Sequence, residues 1–123
     1  MEAEANLEHA VMIFSNDYDI ECKDRLRNDL ERLTPIRNVV LDFTDVTYVD
    51  STALGELIRM HKTRAANGFE RETIVVGSPH LQRLFELVQF EKVFRFVPEL
   101  GDAVPHNGAP TELYYAYCRE ATA

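Results

Sequence analysis

Asp50-Ser51-Thr52 stands where a connector gives way to an apolar stripe of helical period, and an aspartate followed by two hydroxyl residues can do two kinds of chemistry there. One is structural: a carboxylate at the N-cap accepts from the exposed backbone N–H groups and is favoured by the helix dipole. The other is functional. With Asp50 as the cap, Ser51 falls in the first turn, its hydroxyl open to solvent, modification or a partner. Ser51, Gly55, Arg59 and Lys62 follow one another at spacings of four, four and three, which places them on one helix face. A glycine inside a helix costs roughly 1 kcal/mol relative to alanine, and close approach of another molecule would be a reason to keep Gly55. Taken alone, such a triplet more often just starts a helix.

Other residue types offer less chemistry. His9, His61, His80 and His106 show no ligand spacing, and no metal is expected. His61 falls on the apolar stripe of its helix, where a satisfied core histidine is expected. Cys22 and Cys118 form neither a disulfide framework nor a metal pattern and read as reduced, packed thiols. Asp42, near the end of a strand, raises the possibility of a Mg²⁺-dependent phosphoryl acceptor. That reading lacks a second acidic pair beyond Asp17 and Asp19, a Gly-rich phosphate loop and a placed lysine. Neither a nucleophile elbow nor a cofactor motif is present.

The elements that must position Ser51 read as alternating strands and helices. Residues 11–14, 39–43, 73–76 and 94–97 are short apolar runs bounded by turn residues, as expected of strands, the second of them central. Cys22, Leu26, Leu30 and Leu33 line one face of a first helix that stops at Thr34-Pro35. Leu54, Leu57, Ile58, His61 and Ala65 give the second helix its apolar side, and Asn67-Gly68 ends it. Ser78-Pro79 caps and opens a third, with Leu81, Leu84, Phe85 and Val88 on its buried side. Strand and helix in alternation imply an α/β fold of four or five mostly parallel strands with helices packed on the sheet. Residues 105–110 have linker composition. Beyond them Leu113, Tyr114 and Tyr117 predict a short helix in the tail.

The chain of 123 residues is one domain's length. A net charge of −8, from 21 acidic and 13 basic side chains, disfavours nucleic acid and anionic lipid as direct partners. No stretch is apolar enough to insert in a membrane, and no leader is seen at the N-terminus, so a cytoplasmic protein is expected.

The segment Asp50-Ser51-Thr52-Ala53-Leu54-Gly55, after Val40-Leu41-Asp42-Phe43 and Asp45-Val46, resembles the signature of STAS domains of the anti-sigma factor antagonist type. Thr73-Ile74-Val75-Val76-Gly77-Ser78-Pro79 and the Leu81, Arg83, Leu84, Phe85 run that follows are similar to the family's third strand and next helix. The resemblance covers about residues 10–104, which sets the domain at 1–104 with a linker and tail over 105–123. It implies a phosphorylation-switched binding module, not an enzyme, that engages an anti-sigma factor with serine kinase activity and is reset by a serine phosphatase. Ser51 would be the phosphoacceptor, Asp50 and Thr52 its flanks at the interface, Gly55 the point of close contact and Asp19 a further contact, and the helix-face spacing adds Arg59 to the expected partner-binding residues. Asn16-Asp17-Tyr18-Asp19 replaces the Gly-Glu-Leu-Asp-like turn common in the family, and Gln89 stands where glycine is common. Within the same fold the alternative is a scaffold role, as a STAS subunit of a lipid-transport ATPase complex or a stress-signalling assembly.

Overall fold

The computed structural model describes residues 9–14, 23–46, 48–103 and 111–116. Strands β1 (His9–Phe14), β2 (Asn38–Phe43), β3 (Thr73–Val76) and β4 (Arg95–Val97) alternate with helices α1 (Lys23–Glu31), α2 (Ser51–Ala66) and α3 (Pro79–Leu87), and β5 (Glu112–Ala116) closes the order. The five strands form one parallel sheet in the order β4-β3-β2-β1-β5. No described helix is long and apolar enough to cross a membrane.

Handedness decides where the helices lie. From β1 to β4 each strand is laid beside the last in the same direction, so right-handed crossovers put every helix on one face of the sheet. Leu26 and Leu30 of α1, Ala53, Leu57 and Met60 of α2, and Leu81 and Phe85 of α3 accordingly pack with Met12, Leu41, Phe43 and Ile74 in one core. Phe85 is its hub, with ring centroids of Phe43, Phe90 and Phe96 at 6.1, 5.5 and 5.2 Å. The opposite face carries Val11, Val40 and Val75, against which Leu100 and Ala103 pack. β5 lies across β1 from the other strands, and the described residues that follow β4, up to Ala103, lie on this second face, as the same rule requires.

The sequence expectations hold for the first four strands to within two residues, and fail in three places. The tail residues 112–116 are not helical. Glu112–Ala116 is a fifth strand, parallel to β1 with Val11 opposite Leu113, because a free edge beside β1 offers backbone partners that an isolated short helix lacks. Tyr114 packs against the core, with the Arg32 guanidinium 4.5 Å from its ring centroid. The buried line of α2 is rotated from the expected stripe: Ala53, Leu57, Met60 and Arg64 are buried, Leu54, Ile58 and His61 half-buried, and Ala65 exposed. Val88 is 41% exposed, because α3 stops at Leu87 and the chain turns at Gln89, whose φ of 62° is left-handed. Cys22 and Cys118 lie outside the described residues.

The rotation of α2 has a cause. Arg64 is fully buried and donates from Nη1 to Glu72 Oε2 at 2.5 Å and to the Glu70 carbonyl at 3.0 Å. From Nη2 it donates to the carbonyls of Ile36 and Arg37 at 2.6 and 2.7 Å. Glu72, equally buried, accepts on Oε1 from His61 Nδ1 at 2.8 Å. The last turn of α2 is thus tied to the segments that lead into β2 and β3, and His61 is the satisfied histidine that its position on the stripe predicts.

Replacing Glu72 by alanine leaves the Arg64 charge buried without its counterion, and unfolding free energy is expected to fall by about 3–5 kcal/mol. A loss under about 1 kcal/mol in urea titration would show that the pair is not the anchor of α2. Gln89→Gly removes the left-handed strain of a non-glycine residue and is expected to raise stability by about 0.5–1 kcal/mol in the same titration. A decrease would show that the Gln89 side chain does more than the turn requires.

Candidate functional site

The carboxyl ends of parallel strands form the rim where α/β proteins place their sites, and the β2–α2 junction lies on that rim. At the end of β2, Asp42 is buried and its Oδ1 accepts from the Thr44 N–H at 3.0 Å and the Thr44 hydroxyl at 2.5 Å. Asp42 therefore holds the turn in place through Oδ1. Val46 donates back to the Phe43 carbonyl at 2.9 Å, and Val46 and Val49 are buried beneath the connector. These two valines, with Ala53 and Leu57, seat the start of α2 on Phe14, Leu26 and Phe43.

Asp50 caps the helix in extended conformation, its Oδ1 accepting from the Ala53 N–H at 2.9 Å. Because Asp50 does the capping, Ser51 is left exposed, with no side-chain hydrogen bond among the described residues. Gly55, Arg59 and Lys62 are exposed along the same face, and Thr52 is half-buried beside it. A Cβ built on Gly55 would meet no atom within 4 Å, so nothing in the domain itself requires glycine there. Tyr48 is 57% exposed just ahead of the cap. Sequence reasoning did not single it out, although a tyrosine in a short connector beside exposed hydroxyls is a visible signal.

A second ion pair fixes α2 against α1. Arg27 donates from Nε to both Glu56 oxygens, at 3.1 and 3.2 Å, and from Nη2 to Oε2 at 2.8 Å. The hydrogen bond to Glu56, and then its charge, raise the Arg27 pKa above its ordinary value. Arg27, Glu56, Arg59, Met60 and Thr63 line a groove of 350 Å³ between the helices, which reaches the Ser51 face through Arg59. Glu56 was not legible as buried, because its partner is 29 residues away.

The structure thus places Asp50, Ser51 and Thr52 at the start of α2 and Gly55 and Arg59 further along its exposed face, while Asp19 lies outside the described residues. His9 begins β1, His80 is exposed on α3 and His61 is bound to Glu72, whereas His106 is outside the described residues. Among the described residues no three His, Cys, Asp or Glu side chains are placed to hold a metal.

Comparison with known proteins matches residues 1–103 to the STAS domain. The chain belongs to the STAS domain family. Two solved STAS-like structures share the fold. One is tm1081 from Thermotoga maritima, classed as an anti-sigma factor antagonist, with TM-score 0.64, 16% identity, and 72% of this chain and 78% of that one covered. The other is the anti-sigma factor antagonist SpoIIAA in its unphosphorylated form, with TM-score 0.54, 14% identity, and coverages of 76% and 79%. The parallel sheet with three helices in this STAS domain is the fold that those antagonists have.

Asp50→Ala removes the cap and is expected to cost about 1 kcal/mol and to speed amide exchange at Ala53. Unchanged exchange at that amide would show the cap to be dispensable.

Proposed function

We propose that this STAS domain is an anti-sigma factor antagonist that binds an anti-sigma factor with serine kinase activity while Ser51 is unphosphorylated, and is restored by a serine phosphatase. The observation that carries this reading is the division of labour at the helix start. Asp50 makes the cap, so the Ser51 hydroxyl is exposed and unused by the fold. Asp50, Thr52, Gly55 and Arg59 would form the interface around it, with Asp19 as a further contact. The likeness to SpoIIAA and tm1081 supports the same reading.

A phosphate on Ser51 adds about −1.5 to −2 charges and three strong acceptors at the helix N-terminus. The dipole there tolerates the anion, so the domain need not refold. A partner that has closed over the hydroxyl must instead accept a dianion beside the Asp50 carboxylate and remove its water. Like-charge contacts of this kind can cost several kcal/mol, and about 2.7 kcal/mol already weakens binding a hundredfold.

The test is a titration against the cognate kinase-type anti-sigma factor, with and without ATP. Ser51→Ala is expected to bind and to resist ATP-dependent release. Ser51→Asp should bind at least tenfold more weakly, yet better than the phosphorylated form, because one carboxylate supplies less charge than a phosphate. Gly55→Leu projects a side chain into open space and should keep the fold while weakening the complex. ATP-dependent release of Ser51→Ala, or full affinity in Ser51→Asp, would leave Ser51 as a plain contact residue, as in a scaffold subunit.

A further inference from the structure

The outer edge of β5 is a surface that the proposed switch does not use. The match to the STAS domain ends at residue 103, so Glu112–Ala116 is a strand added beyond the matched domain. It pairs with β1 along one side, and among the described residues no strand pairs with the other. Such an edge presents a row of backbone N–H and C=O groups that is a template for a further strand.

The two ends of the sheet are not alike. β4 is three residues long, opens on Arg95 and runs into Pro98, so a strand laid against it meets a charge at one end and a missing N–H at the other. β5 is five residues long, and Glu112-Leu113-Tyr114-Tyr115-Ala116 carries one charge, at its start, with neither proline nor glycine within it. Tyrosine is a favoured strand residue, and nothing in this segment guards the edge.

Leu113 marks the same edge on the second face of the sheet. It lies in register beside Val11, which is 2% exposed, yet is itself 56% exposed. Tyr114, next along the strand and so on the opposite face, packs against the core beneath the Arg32 guanidinium. The apolar surface around Val11 therefore continues to the rim of the sheet and is left open at Leu113 among the described residues.

We infer that the β5 edge pairs with the β5 edge of a second copy of this chain, forming a two-fold dimer in which the two sheets become one. The second copy is the partner whose edge fits in length and in charge. Two-fold symmetry pairs the strands antiparallel, and centring the pair on Tyr114 uses all five residues. Leu113 then stands opposite the second copy's Tyr115, so each exposed leucine gains an apolar neighbour across the junction. The same arrangement moves the two Glu112 residues about 14 Å apart along the strands, beyond the Debye length of about 10 Å at 0.1 M salt. A parallel pairing would set those two carboxylates side by side. With the β4 edge guarded, assembly closes at two copies and does not propagate. The strands of the two copies run in opposite directions, so the two Ser51 rims face opposite ways and both stay accessible. A five-residue edge falls short of the roughly 1,200 Å² that standard interfaces bury, and the dimer is expected to be reversible and dependent on concentration.

Sedimentation equilibrium of the whole chain over a wide concentration range tests this. A monomer–dimer equilibrium is expected, tightened by added salt because each copy carries a net charge of −8. Leu113→Lys should weaken it at least tenfold without moving the thermal midpoint, since the side chain is exposed. Leu87→Lys, at a still more exposed leucine on α3, should leave it unchanged, as should Ser51→Asp. Hydrogen exchange on the unaltered chain reads the edge directly: amides of β5 should gain at least tenfold protection as concentration rises, and amides of β4 none. A monomer at every concentration, full affinity in Leu113→Lys, weakening by salt, or β5 protection that ignores concentration would each overturn the inference. Capture of another protein's strand by a chain that stays monomeric would overturn it as well, by assigning the edge to a different partner.

Discussion

Arg64 keeps its charge where no water reaches it, and the position of α2 follows from how that charge is satisfied. Burial of a lone guanidinium would be prohibitive, so both Nη groups must find acceptors, and they find Glu72 and three carbonyls from two separate segments, while Nε has no partner among the described residues. Those acceptors exist in the right places only if α2 lies across β2 and β3 in one rotation and one axial position. A slip of one residue would turn Arg64 out of its cage. A helix of 16 residues extends about 24 Å, so an anchor at one end also determines where the other end emerges. That other end is Asp50 and Ser51.

The apolar core could not impose this register alone. Leu54, Leu57, Ile58 and Met60 offer a broad apolar arc that could seat the helix in more than one rotation, since hydrophobic contact is non-directional. The directional contacts choose among them. Arg64–Glu72 sets the far end, Arg27–Glu56 sets the middle against α1, and the Asp50 cap sets the near end. Whether the two ion pairs add net stability is a separate matter from this role, because burying charges costs much of what their attraction returns.

What the sequence made legible was local. Asp50, Ser78-Pro79 and Asn67-Gly68 punctuate helices through hydrogen bonds spanning three or four residues, and each is found in its expected place, with Gly68 at φ +87°. Strands β2 and β3 were legible for a similar reason, being nearly continuous apolar runs buried on both sides. Glu56 and Arg64 were not legible, because charged side chains on a helix read as solvated until their partners are known, and those partners lie across the fold. The tail misled for the converse reason. Leu113 and Tyr114 are compatible with either period over so short a stretch, and a vacant edge beside β1, which no local pattern reveals, decided for strand. Gln89 is a middle case: its departure from the glycine common in the family was visible, and the structure shows the left-handed turn that makes glycine the easier residue there.

The same anchoring bears on how a modification at Ser51 could act. A switch that worked by moving α2 would have to pull Arg64 from its cage or open the Arg27–Glu56 fork, and either would leave charge buried and unpaired at a cost of several kcal/mol. A phosphate on an exposed first-turn hydroxyl has no such leverage, since it gains from the helix dipole about what it loses to the neighbouring Asp50 carboxylate. Its energetic effect is therefore concentrated outside the domain, on whatever surface must close over Ser51. A rigid helix end that presents an exposed hydroxyl suits recognition by exclusion, in which the proposed modification would admit or refuse a partner by charge while the domain keeps one shape.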